Sequence, residues 1–188
     1  MTPIKVSGKW TEGYAIDRHV IHSEHIGYDQ FGHDIYDTTR SELGELIYKM
    51  KYNGHLDTSE KIVNIITPFL DRWLADKNID YIIPIPPTTP RESQPVFLIA
   101  KKIADRYGMI YNDTVLRKIS SIASKDMRGE QKTIEGTITK SKKASSYRNI
   151  LLIDDLYSTG STANECVRVL KQDPYIDNVY FLAITKTR

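Results

Sequence analysis

The chain has 188 residues, 40% hydrophobic and 27% charged, enough for one α/β domain with a full core, slightly short for two, and too balanced for disorder. Its 26 Lys and Arg against 24 Asp and Glu leave a net charge of +2, so no bulk attraction for nucleic acid is encoded and affinity for anions must come from local placement. One cysteine, Cys166, excludes an intrachain disulfide framework and a Cys-rich zinc module; Met1 to Lys9 lacks an apolar signal core and no apolar run reaches membrane length, so a cytoplasmic protein is expected.

In chain order, Tyr14 to His22 alternates with Ile16 and Val20 on one face, and Ile26 to Tyr36 contains the turn-like run Asp29-Gln30-Phe31-Gly32. Together they predict a short antiparallel hairpin in residues 1–40, appended to a core of residues 41–188. His19, His22, His25 and His33 crowd this segment. On a strand His19 and His25 fall opposite His22, so exposed or hydrogen-bonded imidazoles are expected rather than a metal site. Ser41 is the expected N-cap of a helix carrying Leu43, Ile47 and Met50. Ser59 opens a second, with Ile62, Val63, Ile66, Leu70 and Trp73; Pro68 inside that stripe predicts a kink or break at Thr67.

From Tyr81 the pattern changes. Tyr81 to Ile85 is a short apolar run, followed by the turn Pro86-Pro87-Thr88-Thr89-Pro90. A helix is expected from about Val96 to Tyr107, stopped by Gly108. Asn149 to Ile153 reads as a strand buried on both faces, the helix after it carries Ala163, Cys166, Val167 and Leu170, and Val179 to Ile184 closes with another strand. Cys166 lies on that apolar stripe and is expected in the core. The alternation predicts a single α/β domain whose central, mostly parallel sheet is flanked by helices.

The informative stretch runs from Ile150 to Thr162. A buried strand ends in Asp154 and Asp155, hydroxyl residues surround Gly160, and a helix follows at once. First-turn N–H groups of a helix have no intrahelical partner and the helix dipole favours an anion there. Gly160 lets the backbone turn tightly and approach a phosphate, while Ser158, Thr159, Ser161 and Thr162 add hydroxyl donors. The two carboxylates suit the vicinal hydroxyls of a sugar. A phosphate donor set one loop from a diol acceptor set fits a sugar 5-phosphate. The lysine of a Walker A loop and the glycine spacing of a dinucleotide fingerprint are both missing.

Asp154-Asp155-Leu156-Tyr157-Ser158-Thr159-Gly160-Ser161-Thr162 resembles the motif with which type I phosphoribosyltransferases bind phosphoribosyl diphosphate (PRPP). Within that superfamily the chain is most similar to the competence protein F-like (ComF-like) group, through Tyr48-Lys49-Met50-Lys51-Tyr52, Ile83-Pro84-Ile85-Pro86 and the PRPP motif. The resemblance implies that Asp154 and Asp155 hold the ribose hydroxyls, that Ser158 to Thr162 hold the 5-phosphate, and that Pro86, Pro87, Thr88 and Thr89 form the diphosphate loop with Arg91 nearby. It implies a mobile cationic loop between Leu116 and Ile134, where Lys118, Lys125, Arg128 and Lys132 lie, and catalytic roles for Asp154, Asp155, Arg91, Lys125 and Arg128. It further implies a hood over the acceptor, to which the hairpin could contribute, magnesium (Mg2+) carried with PRPP, a small-molecule acceptor expected to be a nitrogenous base, and a possible homodimer.

Two departures matter. Where the ComF-like group has Arg-Gly-Phe-Asn-Gln, this chain reads Arg91-Glu92-Ser93-Gln94-Pro95-Val96-Phe97, and the group's four-cysteine zinc ribbon is missing. On the PRPP motif a phosphoribosyltransferase is the leading expectation, and the altered diphosphate region motivates a rival. The rivals are a non-catalytic PRPP- or nucleotide-sensing regulator and, by association with the group, a competence-related DNA-uptake factor. Nucleic acid and membrane are not expected partners; Lys140-Ser141-Lys142-Lys143 reads as a solvated basic loop.

Overall fold

The structure is a computed structural model that describes residues 2–87, 94–119 and 134–187. Its centre is a six-stranded sheet in the order β1 (Ile4–Lys5), β2 (Glu12–Arg18), β10 (Ile176–Lys186), β9 (Arg148–Tyr157), β5 (Tyr81–Pro84) and β6 (Ile110–Tyr111). All neighbours run parallel except the edge strand β1, which is antiparallel to β2. The fold is α/β, a mostly parallel sheet flanked by helices, as the alternating pattern predicts.

Both sheet faces are apolar because both are covered. On one face Leu151, Ile153, Leu182, Ile184 and Ile82 pack against helices α1 (Glu42–Tyr52), α2 (Thr58–Trp73) and α3 (Pro95–Tyr107). On the other, Ile150, Leu152, Phe181, Ala183 and Ile83 meet helix α4 (Ser161–Leu170) and Trp10. Cys166 is buried in this second layer, and burial followed by the charge of Asp154 pushes its thiol upward, so it acts as a small core residue.

The helix ends follow their sequence signals. Ser41 Oγ accepts the Gly44 N–H at 3.0 Å to start α1, and Gly108, at φ 68°, ends α3. Pro68 does not break α2, which is continuous through it. The proline costs about 3 kcal/mol in a helix interior, but the helix buries Ile62, Val63, Ile66, Leu70 and Trp73, each giving roughly 1.5–3 kcal/mol.

The amino-terminal hairpin begins at Val20 and not at the expected Tyr14. Its strands are β3 (Val20–Tyr28) and β4 (Asp34–Arg40), joined by the expected turn in which Asp29 Oδ1 accepts the N–H groups of Phe31 and His33. Residues from Tyr14 to Arg18 belong instead to β2 in the central sheet, where Tyr14 lies opposite Leu182 and Ala15 opposite Ala183. Local alternation is the same for either partner, so only the long-range pairing decides. A second small ladder, β7 (Leu116–Lys118) with β8 (Ile138–Lys140), is antiparallel.

Candidate functional site

The site grows from the end of β9. The sequence predicts a strand that ends in Asp154 and Asp155, but β9 continues through Leu156 and Tyr157 because these still pair with Thr185 and Lys186 of β10. Backbone pairing is indifferent to side-chain polarity as long as a neighbouring strand is present. The two acids thus sit on the strand, and alternation sends them to opposite faces.

Asp155 faces α1, whose Lys51 Nζ donates to its Oδ1 at 2.8 Å with both side chains largely buried. Asp154 faces α4 and accepts the Asp155 N–H at 2.8 Å. Densely surrounded by protein although reached by solvent at the cleft, Asp154 has its carboxyl pushed up to about 7, first by burial and then by the charge of Asp155. The backbone N–H groups of Asp155 and Leu156 and the Lys51 ammonium oppose that rise without cancelling it.

Both carboxylates and Lys51 line one open cleft of about 300 Å³ together with Ile85, Pro86, Pro87, Gln94 and Thr162. The cleft lies at the carboxyl ends of β5 and β9, which are still joined where the Ile85 N–H donates to the Ile153 carbonyl at 2.8 Å. From β5 the chain moves outward through α3 to β6, whereas from β9 it moves through α4 to β10 on the opposite side. The strand order reverses beside β9, the place where open α/β sheets form ligand crevices.

The turn after β9 is shaped for a glycine. Gly160 has φ 75°, and a Cβ there would lie 2.7 Å from Tyr157 Cε2. As the residue that caps α4, Gly160 contributes no side chain to the helix start; the Ser161 N–H donates to Thr159 Oγ1 at 3.4 Å, and the first-turn N–H groups after it have no intrahelical partner and can meet an anion. Thr159 Oγ1 and Ser161 Oγ lie 2.8 Å apart over this turn. Of the residues expected to hold a phosphate, Thr162 lines the cleft with the acids; Ser158, Thr159, Gly160 and Ser161 form the adjoining turn. Of the expected diphosphate loop, Pro86 and Pro87 form cleft wall. Thr88, Thr89, Arg91, Lys125, Arg128 and Lys132 lie outside the described residues.

Three side chains that the motif does not single out support the acids. Lys51 belongs to the Tyr48-to-Tyr52 match, which assigns it no role. Thr185, fully buried, donates from Oγ1 to the Asp155 carbonyl at 3.0 Å, and His19 Nδ1 lies 3.1 Å from the same hydroxyl. Because that hydroxyl spends its proton on Asp155, His19 must donate from Nδ1. Burial, then the charges of Lys51 and Arg40, lowers the His19 pKa and favours neutral imidazole. Nothing local in the sequence marks this chain of contacts, which joins the β2–β3 junction, β10 and β9.

The remaining hairpin histidines serve the hairpin: His25 Nε2 and His33 Nδ1 each lie 3.0 Å from an aspartate oxygen, of Asp34 and Asp29 respectively. No hairpin residue is among those lining the cleft. Among the described residues no three His, Cys, Asp or Glu side chains gather to hold a metal, and no helix is long and apolar enough to cross a membrane.

No family model matches the chain, and no curated protein does. Solved structures do. An adenine phosphoribosyltransferase is 19% identical, with 86% of this chain and 85% of that one covered and a TM-score of 0.47. The Saccharomyces cerevisiae adenine phosphoribosyltransferase, complexed with an imino-altritol bisphosphate and adenine, is 17% identical over 86% of this chain and 83% of that one, at 0.48. The Thermoanaerobacter pseudethanolicus adenine phosphoribosyltransferase is 13% identical over 87% and 94%, at 0.43. At these scores the likeness carries no argument about activity, which must come from the cleft itself.

Proposed function

We propose that this chain is a type I phosphoribosyltransferase, of the ComF-like group, that binds PRPP with magnesium and transfers its phosphoribosyl group to a nitrogenous-base acceptor in the cytoplasm. The observation that carries the reading is the end of β9: two carboxylates on the strand, then a left-handed Gly160 turn into a helix whose first N–H groups are uncapped by that residue. In this reading Asp154 and Asp155 take the ribose hydroxyls, and Ser158 to Thr162 with the start of α4 take the 5-phosphate.

The reaction is a displacement at C1 of the ribose. An acceptor nitrogen forms the new bond to C1, the C1–O bond to diphosphate breaks, diphosphate leaves with the electron pair, and the proton of the acceptor N–H passes to solvent. The carboxylates stabilise the positive charge that develops on the sugar, and the cradle holds C1 in line. Magnesium, when bound with PRPP, supplies charge neutralisation to the departing diphosphate. Among the described residues no cluster of acids forms a metal site of its own, so the ion would enter on the phosphate oxygens of PRPP, the hard donors that magnesium prefers. Lys51 already compensates Asp155, so the protein keeps one acid neutralised before any metal arrives. That same ion pair favours the second reading, a PRPP-sensing protein without turnover, because it spends one carboxylate on a protein cation.

Incubating the protein with PRPP, magnesium and a panel of purine and pyrimidine bases, with diphosphate release as the readout, separates the two. Release with at least one base is expected; PRPP binding with no release across the panel would transfer the proposal to the sensor.

A further inference from the structure

The opposite end of the sheet holds another cavity. It has a volume of about 140 Å³ and is walled by Tyr81, Ile83, Ile150, Leu170 and Ile176, residues at the starts of β5, β9 and β10 and at the end of α4. Along β9, Arg148 and the Asp154–Asp155 pair are six to seven steps apart, roughly 20 Å at the usual strand rise. This cavity is therefore separate from the cleft between Asp155 and Pro87.

Its charge is one-sided. Lys140, Lys142, Lys143 and Arg148 border it, against the single carboxylate of Asp173. Asp173 is already spent: Oδ2 accepts from Lys140 Nζ at 2.6 Å and from the Ala144 N–H at 2.8 Å, and Oδ1 accepts the Tyr175 N–H at 3.1 Å. These bonds fix the segment from Lys140 to Ala144 as a built wall. Arg148 is paired with Asp80 at 3.2 Å. Lys142 and Lys143 have no ion-pair partner among the described residues. Two uncompensated ammonium groups thus stand at the rim of an apolar hollow. A hollow of roughly 150 Å³ admits a benzene-sized ring.

We propose that this cavity is a second ligand site, for a small organic anion. Its carboxylate or phosphate head is held by Lys142 and Lys143, and an apolar body about the size of one six-membered ring packs against Ile83, Ile150 and Ile176. Apolar burial supplies affinity and the lysines supply selection for negative charge, the usual division of labour in small-molecule pockets. Water would solvate the two lysines in the empty state at little cost, so the site does not burden the fold.

Isoleucine δ-methyl NMR on the full chain tests this, because Ile83, Ile150 and Ile176 line this cavity whereas Ile85 lines the cleft. Phenyl phosphate and benzoate are titrated, with inorganic phosphate and phenol as the two halves of the chemistry. Saturable shifts at Ile83, Ile150 and Ile176 are expected with at least one of the two aryl anions, the tighter one naming the head group. Affinity should fall at least tenfold in the exposed double variant Lys142→Ala/Lys143→Ala. Shifts confined to Ile85, no saturable shift, affinity unchanged in the double variant, or inorganic phosphate binding as tightly as phenyl phosphate would each overturn the proposal.

Discussion

Replacing Asp154 by Asn should stabilise the protein above neutral pH while weakening the PRPP binding proposed for the cleft. In the folded chain this carboxyl is raised from 3.8 to about 7 by burial and by Asp155. A rise of some three units corresponds to at most about 4 kcal/mol. The shift belongs to two neighbouring acids and the cleft admits water, so about 2 kcal/mol is the working figure. Its sign follows from linkage. The folded state holds the Asp154 proton more tightly than the unfolded chain does, so the group's stabilising contribution is complete below its unfolded value and is lost as pH rises towards and through 7. The amide of the variant keeps the shape and an oxygen for the Asp155 N–H but has no charge to bury. Urea unfolding of both proteins at pH 5 and pH 8 gives the comparison, in which every other titrating group away from the site cancels. The variant should be more stable than the parent by about 2 kcal/mol at pH 8, with the advantage shrinking at pH 5. Parallel pH profiles, or a variant less stable at pH 8, would refute the claim that Asp154 is held at a cost to the fold.

Lys51→Met removes the cation from Asp155, whose side chain is 13% exposed; urea unfolding should show a loss of about 2 kcal/mol at pH 8, and a smaller one where Asp154 is protonated. Gly160→Ala forces a Cβ into the left-handed region and against the Tyr157 ring; thermal or urea unfolding should report a cost of about 2 kcal/mol, and PRPP affinity should drop along with it. Asp173, held at about 2 by Lys140 and the Ala144 N–H, contributes stability that is present above its unfolded value near 3.8 and is lost as pH falls towards 2. Asp173→Asn should therefore cost about 2 kcal/mol at neutral pH and flatten the acid limb of the urea-derived stability profile between pH 4 and pH 2.

The alternation of apolar strands and helices carries the α/β fold class, and local rules bring the candidate acids and the glycine turn to one strand end. Asp154, Asp155 and Gly160 are legible because a buried strand, two acids and a tight hydroxyl turn are contiguous, and each element carries a local rule. Pro86 and Pro87 reach the same cleft through the adjacent strand end, a placement that follows once β5 and β9 are neighbours. Lys51 and Asp155 are 104 positions apart, and neither periodicity nor composition encodes that meeting. The same holds for β2, whose alternation fits a hairpin as well as a sheet; its pairing with β10 is decided by the whole fold. Pro68 shows the reverse error, a local rule overridden by packing on one helical face. The sequence reading ends β9 at the two acids, short of Leu156 and Tyr157, because apolar patterning reports burial whereas strand length reports how far the partner strand extends.

The central claim is that the end of β9 is a PRPP cradle, and titration calorimetry with PRPP and magnesium tests it most directly. The parent protein should bind PRPP saturably, and Asp154→Asn/Asp155→Asn should lose at least tenfold in affinity, about 1.4 kcal/mol or more, while its circular dichroism spectrum stays unchanged. No binding of PRPP or of ribose 5-phosphate by the folded parent protein, or equal binding by the folded double variant, would contradict it.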